Sequence, residues 1–179
     1  MLGSMWQALL LALSLSQGEM AYSVRVPVAF DGYHVAPLDE PPEEKVEFQA
    51  DRMFEAVNEF RAGYGLPAYV RDPGLDALAQ YRAELAMADW EATGILRHDG
   101  PGGGDRYFEL LPAYGFPYYT MAGENMAVNS YPDPVAEAMQ RLENSPSHRT
   151  NLLGDFTKIG IGYLSHSGIH MFVQVFLSD

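Results

Sequence analysis

The run His170–Leu177 constrains the fold more than any other stretch. Met171, Val173, Val175 and Leu177 alternate on one face of an extended chain, and Phe172 and Phe176 occupy the other. A strand that is apolar on both sides needs cover on both sides, so it belongs to a sheet with a layer against each face. Lys158–Ser165 reads as its partner strand, with Ile159 and Ile161 alternating with glycines, and Ser167-Gly168 as the turn between them. The covering layers are legible as helices. Val46–Tyr64 carries Ala50, Phe54, Val57, Phe60 and Tyr64 at spacings of three and four. Asp72-Pro73 opens a second helix, with aspartate as N-cap and proline at the first position, and Leu75, Leu78, Ala79, Leu85, Ala86 and Trp90 as its buried side. Met53, Met87 and Trp90 read as core filling. Asp105–Ala113 allows one or two helical turns, and Pro132–Asn144 forms a further helix with Val135, Met139 and Leu142 on one face.

The chain has 179 residues, enough for one domain with its own core. With 24 acidic against 11 basic residues its net charge is −13, which argues against nucleic acid and against electrostatic docking on anionic membrane. Having no cysteine, it makes no disulfide, no thiolate metal site and no thiol nucleophile. The apolar run Trp6–Leu15 is too short to span a bilayer, which takes about 20 residues. With Ser14 and Ser16 after it, it fits a signal peptide over residues 1–16, although no Lys or Arg precedes it. Residues 17–45 form an extension in which Val24, Val26 and Val28 alternate like a short strand. Asp39–Glu44 makes it an acidic, proline-rich linker, and residues 46–179 make the folded domain.

Three polar residues stand out, each within two residues of Gly or Pro and each expected on a loop or element end: His98, Glu124 and His148. His148 follows the break at Ser145-Pro146 and is expected on a loop between a helix and a buried strand. Two imidazoles and a carboxylate can hold a divalent metal with a position left for water, or can form a neutral hydrogen-bond network.

His98-Asp99-Gly100, Gly123-Glu124-Asn125, Ser145-Pro146-Ser147-His148-Arg149-Thr150-Asn151-Leu152-Leu153 and Ile159-Gly160-Ile161-Gly162 follow one another in this order, ahead of Phe172–Phe176. In that order they resemble the bacterial branch of the CAP superfamily, also called SCP-like, which includes cysteine-rich secretory and plant pathogenesis-related proteins. Leu66-Pro67-Ala68-Tyr69 and Asp72-Pro73-Gly74-Leu75 are similar to that family's entry into its second helix, so the resemblance spans Val46–Asp179. It implies an α+β fold: a three-layer α-β-α sandwich around a central, mostly antiparallel sheet. It also implies a cleft lined by two histidines, here His98 and His148, and two acids, the first being Glu124. The second acid departs from the pattern. Eukaryotic relatives carry it three residues after a tryptophan on the helix before the second histidine. Here Leu142 stands at the tryptophan position and Ser145 at the glutamate position, while Glu143 projects differently. Bacterial relatives often share the lack, and the resemblance then implies a His-His-Glu cleft.

The resemblance therefore implies an exported, monomeric binding or interaction module, with a lipid, a cell-wall component or a protein as ligand. Zinc or another divalent metal would be held by His98 and His148, with Glu124 as a further candidate, and no organic cofactor is called for. The alternative is a zinc-dependent hydrolase using the same cleft, with His98, Glu124 and His148 as its candidate catalytic residues.

Overall fold

The computed structural model describes residues 43–99 and 106–179. The expected leader, the Val24–Val28 strand, most of the acidic linker and the glycines from Gly100 to Gly104 lie outside those residues. The described elements are α1 (Glu43–Gly63), β1 (Val70–Arg71), α2 (Pro73–Thr93), α3 (Tyr107–Leu110) running into a 3-10 turn (Leu111–Tyr114), β2 (Met121–Asn129), α4 (Pro134–Asn144), α5 (Pro146–Leu152), β3 (Lys158–His166) and β4 (Ile169–Ser178). Among them, no helix is long and apolar enough to cross a membrane.

The four strands run in the order β1-β3-β4-β2, with β1 parallel to β3 and the other pairs antiparallel. The two faces of β4 are covered as its sequence requires. On one side Phe172 and Phe176 join Ile159, Ile161 and Tyr163 under α1 (Ala50, Met53, Val57) and α4 (Val135, Ala138, Met139, Leu142). On the other, Met171, Val173, Val175 and Leu177 pack with Leu164 under α2 (Leu75, Leu78, Ala79, Ala83, Ala86, Met87). This is the α-β-α sandwich. The β3–β4 turn sits at Ser167 (φ 49°) and Gly168 (φ 77°), the left-handed pair that a tight hairpin turn demands.

Two local features explain why α2 lies so close to the sheet. Asp72 caps it, its Oδ1 accepting from the Gly74 and Leu75 amides at 2.9 and 3.2 Å. Gly160 and Gly162 then let the helix backbone rest directly on β3: a Cβ on either would come within 2.1 Å of the Leu75 or Ala79 main chain.

Three expectations are corrected. The first helix begins at Glu43, so the linker's last residues are its first turn. Glu124 is not at an element end. It lies inside β2, a nine-residue strand whose Gly, Glu, Asn and Ala content hides it from propensity. His148 is not on a loop but is the third residue of α5, because Pro146 occupies the first helical position and starts a new helix while ending the old one.

Candidate functional site

Successive residues of a strand point to opposite faces, and the Glu124-Asn125 pair in β2 uses this to gather the two histidines. Glu124 points to the α2 layer. There it meets Arg82, whose Nε lies 2.8 Å from Oε2 and whose Nη2 lies 3.2 Å from Oε1. Both side chains are sealed from solvent, at 1% and 0% exposure. Arg82 Nη2 also donates to the His98 carbonyl at 2.7 Å, and His98 Nδ1 lies 2.9 Å from Glu124 Oε1. The Arg82–Glu124 pair therefore holds His98 at both its main chain and its ring. Asn125 points the other way. Its Nδ2 donates to the His148 carbonyl and to Gln174 Oε1, both at 3.1 Å. Asn151 Nδ2 bridges the Glu124 carbonyl and Asn125 Oδ1 at 3.2 and 2.9 Å, tying α5 to the strand.

The base of α5 is pinned independently. Arg61, fully buried, donates to the Leu152 and Gly154 carbonyls at 2.8 and 3.0 Å, and the Tyr69 hydroxyl donates to the Asn151 and Gly154 carbonyls, both at 2.9 Å. Burial pushes the Tyr69 phenol up to about 12, so it stays a donor at any ordinary pH.

The result is that His98, from the α2 side, and His148, from the α4–α5 side, meet around the outer edge of β2 with ring centres 6.1 Å apart. The His98 side chain is half exposed. A groove of about 220 Å³ continues from His148 along the same edge, lined by Leu96, Met126, Ala127, Val128, Arg141, Leu142 and Ser145. Ser145, rather than Glu143, faces this groove. Glu143 offers its carbonyl to Arg149 Nη1. Among the described residues, no three His, Asp or Glu side chains are grouped so as to hold one metal ion. Glu124 is engaged by Arg82 and His98, which leaves the two imidazoles as the donors that face the cleft.

Arg82, Asn151 and Gln174 were not singled out from the sequence. For Arg82 a signal existed: it falls on the stripe Leu75, Leu78, Ala79 and Ala86, and an arginine on a buried helix face needs a buried acid.

Burial and the neighbouring His98 lower the pKa of His148, and burial lowers that of His170, whose Nδ1 sits 2.7 Å from the Tyr163 hydroxyl. The fold thus favours the neutral form of both rings, while in the unfolded chain they protonate near the usual value of about 6.5. Their contribution is complete above that pH and is lost as pH falls below it toward the folded pKa. Urea unfolding at pH 7.5 and 5.5 should show lower stability at 5.5, with proton uptake on unfolding, and a His148→Gln/His170→Gln variant should flatten the difference. An unchanged slope in that variant would remove these rings as the cause.

The family model described as the Cysteine-rich secretory protein family, CAP, matches residues 54–176, more than half of the chain. The chain belongs to the CAP family. Among solved structures, this CAP domain is similar to an extracellular protein containing an SCP domain from Bacillus anthracis str. Ames, at 24% identity and TM-score 0.64, covering 76% of this chain and 42% of that one. It is similar to an outer surface protein of Borrelia burgdorferi at 19% identity and TM-score 0.60, covering 74% and 94%. A cysteine-rich secretory protein of Staphylococcus aureus subsp. aureus Mu50 matches at 19% identity and TM-score 0.58, covering 77% and 41%. The chain thus spans less than half of the Bacillus and Staphylococcus proteins and nearly all of the Borrelia one, and the likeness is one of fold. A search of curated proteins returned no match.

Proposed function

We propose that this CAP domain is an exported binding module whose cleft presents the His98 and His148 imidazoles to an extracytoplasmic ligand. The observation that carries this reading is the commitment of Glu124. Its carboxylate takes two guanidinium bonds from Arg82 and faces His98 Nδ1. A carboxylate so placed orients the ring and leaves Nε2 directed to a ligand, the arrangement that outer-shell acids give metal-binding histidines. The donor set suits a two-imidazole contact, to a divalent ion or to a polar ligand group. It does not suit a His-His-Glu centre. The hydrolase alternative would need a carboxylate free to take a proton from water, and Glu124 is engaged elsewhere. Export is supported by the apolar run at residues 6–15 and by the extracellular and outer-surface descriptions of the Bacillus and Borrelia proteins.

The test is calorimetric titration of the full chain with zinc chloride as probe. Binding should be lost in His98→Ala and in His148→Ala, and should weaken about 10- to 100-fold in Glu124→Gln, where the orienting charge is removed. Binding that survives both histidine substitutions would sink the imidazole pair as the site. Immunoblotting of medium and cell pellet from the native host tests export, and protein confined to the cytoplasm would overturn it.

A further inference from the structure

The two edges of the sheet are finished differently. Beyond the two-residue β1, the edge of β3 is closed from α2: Asp76 Oδ1 accepts from the Ile161 amide at 2.8 Å, and Gln80 Oε1 from the Tyr163 amide at 3.1 Å. On β2 the closure stops half-way. The Ala122 carbonyl accepts from the Tyr107 hydroxyl and the Glu124 carbonyl from Asn151 Nδ2, both at 3.2 Å. These two carbonyls set the phase of the strand, because in an antiparallel pair alternate residues turn their main-chain groups away from the partner. Met126 and Val128 are the next two residues in that phase. Among the described residues, no side chain or loop main chain bonds to the main chain of either, and both line the groove that ends at His148. The groove takes Leu96 from the α2 side and Leu142 and Ser145 from the α4 side, so it runs along the sheet edge itself.

We propose that this edge takes a short extended peptide as an added strand, hydrogen-bonded main chain to main chain at Met126 and Val128 and abutting His148. The proposal rests on the reading of the cleft as a binding site and names its ligand class. The occupant follows from what the groove offers. Strand N–H and C=O groups two residues apart are satisfied in kind by another extended chain. At about 220 Å³ the groove is smaller than pockets that enclose a drug-sized molecule, and it suits the few side chains that one strand presents. Arg141 in its wall is bonded to Glu137, so main-chain pairing rather than charge selects the occupant.

The test uses the full chain, isotope-labelled, titrated to millimolar with the blocked pentapeptide Glu-Val-Thr-Val-Thr and two N-methylated forms. One form is methylated at the odd amides and the other at the even ones. An added strand pairs through only one of those sets. The expected result is that the Met126 and Val128 amides shift and gain exchange protection, and that one methylated form loses binding at least tenfold while the other keeps it. Val128→Pro, which removes an edge N–H without touching the β4 ladder, should also lose binding while the rest of the spectrum is unchanged. No binding, equal effects of the two methylated forms, or shifts confined to another surface would overturn the proposal. Histidine ring resonances followed with zinc chloride keep the two readings apart. If zinc moves them while the peptide leaves Met126 and Val128 still, the imidazole cleft stands and the added strand falls.

Discussion

Gly160→Ala should destabilise the domain by about 3 kcal/mol or more, near the upper end for a single methyl group in a packed interior. The added carbon would sit 2.1 Å from the Leu75 carbonyl carbon and 2.3 Å from its oxygen. Carbon atoms rest about 3.5–4.0 Å apart, and the obstacle here is helix backbone, which has no rotamer to change. α2 would have to lift off β3, and lifting breaks the Asp76 and Gln80 bonds to the same strand. Gly162→Ala meets the Ala79 carbonyl in the same way. Gly63→Ala is the control: nothing lies within 4 Å of the place its Cβ would take, and a change within roughly 0.5 kcal/mol is expected. Urea unfolding of the three variants decides the matter. Equal midpoints for Gly160→Ala and Gly63→Ala would show that the helix does not rest on the strand as described.

Arg82→Met should cost about 3–5 kcal/mol, because it strands the Glu124 carboxylate at 0% exposure without its cation. The pair itself contributes less than that figure suggests. Bringing two charges out of water offsets most of their attraction, so Arg82→Met/Glu124→Leu should recover much of the loss. The double variant separates stability from function. It folds, yet His98 has lost both the donor to its carbonyl and the partner of its ring, so zinc binding should stay impaired. A single variant within about 1 kcal/mol of wild type, or a double variant no better than the single, would refute this account of the pair.

How much of this was legible in the sequence differs by element. The two-faced pattern of β4 dictated the layers, since Phe172 and Phe176 on one side and Met171, Val173 and Val175 on the other leave no solvent face. The Asp72-Pro73 start of α2 was equally plain, because cap and proline act through local chemistry. β2 was hidden: what makes it a strand is pairing with β4 across register, and local preference for Gly, Glu and Asn runs against it. His98, Glu124 and His148 could be named from motif order. Their roles could not, because those depend on Arg82, 42 residues away from Glu124 in the chain, and on which side of one strand each neighbour faces.

The placement of Glu124 and Asn125 on opposite sides of one strand has a mechanical consequence. The His98 ring is held by Glu124 from one face of β2 and the His148 main chain by Asn125 from the other, so the 6.1 Å between the ring centres spans the edge of the sheet. A ligand that grips both rings is a rivet across that edge. Its binding energy would then favour the folded domain, so occupancy raises the free energy of unfolding by mass action without any new contact in either core.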